Sequence, residues 1–225
     1  MSPTASPITP EQTLADLAVS RASASRVFYR HKLDFCCHGR IALGVAACQR
    51  GIDLAELIRE LEAEEARGDA TNQSERPLPE LIEHVLTHYH APHREELARL
   101  QVHARKVEAV HADKPLAPIG LGLHLAAMTE ALEDHMQKEE QVLFPMILSG
   151  RGRMASMPVQ VLELEHEDHA RSLARMRELA HDFVAPNDAC GTWRALYLGL
   201  AALERDLMEH IHLENNVIFP RALRA

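Results

Sequence analysis

The second half of the chain carries apolar residues at alternating steps of three and four. In 118–148 the positions on one helical face are Leu121, Leu125, Met128, Leu132, His135, Glu139, Val142 and Met146. The matching face in 190–221 is Leu196, Leu200, Leu203, Leu207, His210, Glu214 and Val217. This spacing is typical of helices that bury one face against their neighbours. In both helices a histidine and a glutamate stand where apolar residues are expected.

Four such helices are predicted, at about 79–112, 118–148, 157–183 and 190–221. The third buries Val159, Leu162, His166, His169, Leu173, Met176 and Phe183 by the same pattern. A polar stretch at 67–79, rich in Gly, Asn, Ser and Pro, precedes them and is interpreted as a linker. Before it, Thr9 and Asp53 are predicted to cap two helices.

The predicted fold is therefore all-α. A small helical domain occupies 1–70, a linker 71–78, and an up-down-up-down four-helix bundle 79–225. The amino-acid composition also favours helices over sheets, because Leu and Ala dominate and aromatic residues make up only 4% of the chain.

The net charge and the number of cysteines argue against several classes of protein. The formal net charge is −9 without a basic stripe, which argues against a nucleic-acid partner. No apolar run approaches the roughly 18 residues of a membrane span, and the N-terminus lacks the apolar core of a signal peptide. Four cysteines are too few for a disulfide scaffold of this length. We therefore expect a cytoplasmic protein with free thiols and no membrane partner.

An internal repeat indicates a metal-binding site. His135 and His210 each begin a His-x3-Glu-x4-Phe-Pro pattern, ending at Pro145 and Pro220. A histidine and a glutamate four residues apart lie on one helical face. Two buried carboxylates at one level of a bundle repel each other and are costly to desolvate, and a cation between them removes both costs. A lone histidine would be interpreted as a hydrogen-bonded core residue, whereas the aligned pairs predict metal ligands.

The other two helices are predicted to add one histidine each. A Glu-His dipeptide lies early in each of them, ending at His84 and His166. In an antiparallel bundle these early positions lie level with the late His-x3-Glu pairs. His88 and His90 compete with His84, which is preferred on its match to His166 and on its depth. The predicted ligands are His84, His135, Glu139, His166, His210 and Glu214.

Four imidazoles and two carboxylates suit iron, manganese or zinc. Two carboxylates shared by four histidines predict two ions, each bound by two histidines and both bridging glutamates. With one oxo or hydroxo bridge from solvent, a six-coordinate non-haem iron keeps one position open for a small diatomic ligand. Zinc prefers a tetrahedral set, so two iron ions are expected.

The chain resembles the RIC family, named for repair of iron centres, whose bundle is a hemerythrin-like domain. The resemblance rests on the two repeats, on HADKP at 111–115, on HLENNVIFPRAL at 212–223 and on the Cys36-Cys37-x-Gly39 segment. It covers nearly the whole chain. It implies a bacterial cytoplasmic di-iron protein that restores iron–sulfur clusters damaged by nitric oxide or peroxide and is expected to supply iron. It also implies the same six iron ligands.

Three functions are compatible with an open di-iron site. The resemblance favours a repair protein that donates iron, rather than a classical enzyme. The alternatives are a nitric oxide reductase, and a nitric oxide or oxygen sensor or an iron store. Expected partners are damaged iron–sulfur proteins, with nitric oxide or oxygen as small ligands, and a homodimer is left open.

Outside the metal ligands, the candidate catalytic residues are Cys36 and Cys37. Adjacent cysteines near His38 and Arg40 suit thiolates that receive iron, nitric oxide or a partner thiol. The alternative is a pair of small core residues, because free cysteine often packs as a hydrophobe. Whether His88 or His169 contributes to the metal site is also left open.

Overall fold

The computed structural model describes residues 7–67 and 75–225. Contacts divide the chain into two compact units. One combines the chain up to Arg76 with His212–Val217, and the other combines Pro77–Ile211 with Ile218–Ala225. Part of the predicted linker, 71–74, lies outside the described residues.

The first unit contains four short helices: α1 (Leu14–Ser20), α2 (Ala24–Arg30), α3 (Leu43–Arg50) and α4 (Leu54–Ala66). The predicted cap at Asp53 is confirmed, since its Oδ1 accepts the backbone N–H of Glu56 at 2.8 Å. Side chains such as Leu17, Phe28 and Leu57 form the core of this unit.

The predicted helix start at Thr9 is wrong. The helix begins at Leu14, and Thr13 Oγ1 caps it by accepting the N–H of Asp16 at 3.0 Å. The carbonyls of Pro10 and Gln12 instead accept N–H groups at the start of α3, at 2.9 and 2.8 Å. Those two carbonyls are therefore used by a neighbouring helix and not by a helical turn of their own.

Four long helices follow: α5 (78–110), α6 (121–148), α7 (Ser156–Leu179) and α8 (191–222). They confirm the all-α class and a four-helix bundle after a helical N-terminal part. In the described part of the chain, no helix combines the length and apolar character that crossing a bilayer requires.

Within the described residues, three bundle helices widen locally into π-helix, at Val85–His90, Glu139–Leu143 and Glu214–Ile218. In each case a proline lies two residues after the π segment, at Pro92, Pro145 and Pro220. Proline lacks an N–H and its ring clashes with the carbonyl four residues earlier. A wider turn relieves that clash without ending the helix.

The π segment of α6 shifts the buried face by one residue. The predicted face is confirmed from Leu121 to Glu139, all of whose positions are buried. Beyond Glu139 the buried residues are Leu143, Phe144 and Ile147, where Val142 and Met146 were predicted. Val142 is 46% exposed. The one extra residue per π turn accounts for this displacement.

α7 keeps its predicted buried face from Val159 to Met176. The helix ends at Leu179, four residues earlier than predicted. Phe183 therefore lies beyond the helix, half-buried and with a positive φ of 61°.

Candidate metal centre

Two groups of potential ligand atoms meet inside the bundle, and each spans no more than 4.8 Å. The first group is His90, Glu139, His210 and Glu214, and the second is His135, Glu139, His166 and Glu214. Both glutamates belong to both groups. All six side chains are 0–1% exposed, so the carboxylates are removed from solvent at a high desolvation cost.

The two carboxylates begin the π segments of their helices. Glu139 is the first residue of Glu139–Leu143, and Glu214 is the first residue of Glu214–Ile218. Each lies one helical turn after a buried histidine of the same face. A Phe-Pro pair follows each of these two π segments. The proline explains why the helix widens where the glutamate lies.

The structure brings together five of the six predicted ligands, with His90 in place of His84. His84 is half-buried and stacks on His88, with ring centroids 4.7 Å apart. The buried face of α5 runs from Val85 to His90, a step of five residues across the π segment. The prediction assumed a regular helix, in which that step does not occur.

Two further buried histidines lie beside the ligand groups. His169 is one turn after His166, and its ring is 4.9 Å from that of His135. His93 takes the equivalent place near His210, at 5.4 Å between ring centroids. Neither belongs to the two groups, and both face ligand rings edgewise or at a tilt.

The ligand atoms lie close enough together to bind metal. His135 Nε2 lies 3.0 Å from His166 Nε2. Two imidazole nitrogens at about 2.1 Å from one ion lie about 3.0 Å apart at a right angle, and about 3.4 Å apart in a tetrahedron. Glu139 Oε2 lies 3.3 Å from His90 Nε2 and 3.5 Å from His135 Nε2. One carboxylate oxygen is therefore close to a histidine of each group.

Outer carboxylates orient one histidine in each group. His90 Nδ1 lies 2.8 Å from Glu140 Oε1, and His135 Nδ1 lies 3.0 Å from Glu165 Oε2. Because an ionised carboxylate only accepts hydrogen bonds, the proton belongs on Nδ1. The lone pair on Nε2 then faces the ligand group, which is the arrangement that metal-binding histidines require.

Glu140 is itself held by a charge network. Arg94 Nη1 donates to Glu140 Oε1 at 3.0 Å, and Arg94 Nε donates to Glu133 Oε2 at 2.7 Å. Partial burial acts to raise the pKa of Glu140, but hydrogen bonds from His90 and Arg94 hold that pKa below its ordinary value. Glu165 is paired in turn with Lys138.

Sequence reasoning missed Glu140, and it ranked His90 behind His84. A signal for His90 was present, because the buried face of α5 counted backwards from Leu97 in steps of four and three reaches His93 and His90. Pro92 marks the same place, since prolines follow the other two π segments at equal spacing.

The cysteine pair lies in the first unit, in the loop between α2 and α3. Cys36 is buried and Cys37 half-buried, and neither forms a disulfide. Only glycine fits at position 39 of this loop, because a Cβ on Gly39 would lie 2.3 Å from the Phe35 carbonyl oxygen.

Two family models match this chain, one in each part. Residues 81–222 match the family described as Hemerythrin HHE cation binding domain. The chain belongs to this hemerythrin family. Its N-terminal residues 10–65 match a second family, described as a domain of unknown function, DUF542.

Similar proteins match nearly the whole length of the chain. One from Pectobacterium carotovorum subsp. carotovorum (strain PC1) is 45% identical over 215 residues, covering 95% of this chain and 97% of the relative. One from Yersinia pseudotuberculosis serotype O:1b (strain IP 31758) is 45% identical over 214 residues, with the same coverage. Both are named iron-sulfur cluster repair protein YtfE. They confirm the resemblance to the RIC family.

Proposed function

We propose that this protein holds two iron ions and repairs damaged iron–sulfur clusters by donating iron. The observation that carries the proposal is the sharing of Glu139 and Glu214 between two ligand groups. One ion would be held by His90 and His210, the other by His135 and His166, and both by the two glutamates. The names of the relatives supply the repair role.

The donor set suits iron. Imidazole nitrogen and carboxylate oxygen suit iron, manganese and zinc, whereas copper(I) prefers sulfur. Among these metals, the names of the relatives point to iron. When bound, an iron pair supplies redox chemistry and an exchangeable coordination position.

The residues around the centre hold and orient it. Glu140 and Glu165 keep the Nε2 atoms of His90 and His135 directed inward. Burial of all six ligands excludes bulk water. Cluster-binding sites offer thiolates, which are softer ligands and suit iron–sulfur chemistry. Thiolates of a client's cluster site are therefore suitable acceptors for iron that leaves this centre.

Transfer of labelled iron tests the proposal. Protein loaded with ⁵⁷Fe is mixed anaerobically with a dehydratase whose cluster has been damaged by nitric oxide or peroxide. We expect dehydratase activity to recover, and Mössbauer spectra of the reisolated dehydratase to show ⁵⁷Fe in a cluster. Recovery without labelled iron in the client would contradict donation, and consumption of nitric oxide in that case would favour the reductase alternative.

Matched variants separate the centre from the scaffold. Glu214→Ala removes a carboxylate of both groups and should abolish repair. Glu167→Ala removes an exposed carboxylate of α7 and should leave repair at the wild-type rate. Equal repair by the two variants would show that iron does not come from this centre.

A further inference from the structure

A second cluster of metal-ligating atoms lies in the loop between α2 and α3, within the first unit. The ligand atoms of Asp34, Cys36 and Cys37 all lie within 4.8 Å of one another. Asp34 Oδ1 is 3.3 Å from Cys36 Sγ, and the two sulfur atoms are 3.7 Å apart. Adjacent cysteines therefore direct both sulfurs to one side, beside a carboxylate.

These distances match one tetrahedral ion. Two thiolates at about 2.3 Å from a shared ion lie about 3.8 Å apart, and a thiolate and a carboxylate oxygen lie about 3.5 Å apart. The observed 3.7 and 3.3 Å differ from those values by small side-chain adjustments. The three atoms could thus bind one ion without rearrangement of the backbone.

Hydrogen bonds from the carboxylate of Asp34 hold the loop in its conformation. Asp34 Oδ1 accepts the backbone N–H groups of Cys36 and Cys37, at 3.2 and 2.9 Å. Asp34 Oδ2 lies 2.6 Å from His38 Nδ1, so the carboxylate has the kind of outer partner that orients metal ligands. The carbonyl of Gly39 accepts the N–H of Ala15 at 2.8 Å, which joins the loop to α1.

Charge also favours a cation here. Two thiolates beside a carboxylate would repel one another strongly. A divalent ion would remove that repulsion as two metal–sulfur bonds form and the two thiol protons pass to solvent.

We propose that Asp34, Cys36 and Cys37 bind one divalent metal ion, and that this ion is Fe(II). Three protein ligands leave one tetrahedral position for water or for a ligand of a client. An open position is typical of catalytic metal sites, whereas structural sites are closed by four protein ligands. The site rests on the loop geometry alone, and the choice of Fe(II) rests on the proposed iron donation.

Thiol alkylation resolved by mass spectrometry tests the site in the full chain. The iron-loaded protein is alkylated under anaerobic conditions with and without added Zn²⁺ or Fe²⁺. We expect either ion to slow modification of Cys37, the half-buried thiol of the pair, at least tenfold. Cys48 and Cys190, which are exposed, serve as internal controls and should react at unchanged rates.

Asp34→Asn tests the carboxylate separately from the loop. The asparagine oxygen can still accept the two N–H groups, while the negative charge is lost. The metal concentration needed for half-protection should rise by at least about tenfold, the lower end of the cost of disturbing a ligand's partner. Asp16→Asn, in the first turn of α1, is the matched control and should not change it.

Each outcome decides one part of the proposal. Absence of protection by both ions would overturn the site, and protection by Zn²⁺ alone would overturn the assignment of Fe(II). An unchanged half-protection in Asp34→Asn would remove the carboxylate from the ligand set. If protection fails while ⁵⁷Fe still reaches a damaged dehydratase, the proposed function stands without this site. If protection succeeds while no ⁵⁷Fe is transferred, iron donation fails on its own.

Discussion

Replacing His90 by alanine tests which histidine of α5 binds metal. His90 is fully buried, and its Nε2 lies 3.3 Å from Glu139 Oε2. Alanine leaves the first ion with His210 and two shared carboxylates, while the second ion keeps all four of its ligands. Removing the outer partner of a metal ligand typically weakens metal affinity by roughly 10–100-fold. Removing the ligand itself should weaken the affinity by more than that. Iron content should therefore fall from about two ions to about one per chain.

The assay is metal analysis by mass spectrometry after gel filtration, with circular dichroism to verify helicity. His84→Ala is the matched control, because His84 lies on the same helix, is half-buried and stands outside both ligand groups. It should keep about two irons per chain. The reasoning would be refuted if His90→Ala kept both irons, or if His84→Ala lost one.

The remaining predictions concern the carboxylates, the core and the bound metal. Glu139→Ala and Glu214→Ala should each leave less iron by metal analysis than His90→Ala, because each carboxylate serves both groups; full retention would disprove bridging. Glu140→Gln should keep the centre but weaken iron binding about 10–100-fold in chelator competition, and an unchanged affinity would show that Glu140 does not orient His90. Leu132→Ala, at a fully packed position, should lower the free energy of unfolding in urea by about 2–5 kcal/mol with iron content retained. Removing iron with a chelator should lower the Tm, since ions bound only by the folded state stabilise it; a Tm that did not move would argue against a buried centre.

Periodicity predicted most of the bundle because burial dictates it. The face of α6 was predicted correctly up to Glu139 and that of α8 up to Val217, and those residues are buried. The His-x3-Glu repeat was informative for the same reason, since a buried carboxylate needs a compensating charge whatever the detailed geometry.

The local helix geometry was not predicted from the sequence. In α5 this geometry determines which histidine lies in a ligand group. A regular helix advances 3.6 residues per turn, so it cannot place both Val85 and His90 on the buried face. The π segment does so, and Pro92 shows where it lies. The outer partners were also missed, because the Glu140–Arg94 contact joins residues 46 apart in sequence and no local pattern indicates such a pair.

The central claim is that two iron ions share Glu139 and Glu214. Mössbauer spectroscopy of the oxidised, ⁵⁷Fe-loaded protein in an applied magnetic field tests it most directly. Two ferric ions linked by bridging ligands should couple into a diamagnetic pair, with about two irons per chain and no internal magnetic splitting. Magnetically split spectra of isolated high-spin ferric ions, or a single iron per chain, would contradict the shared centre.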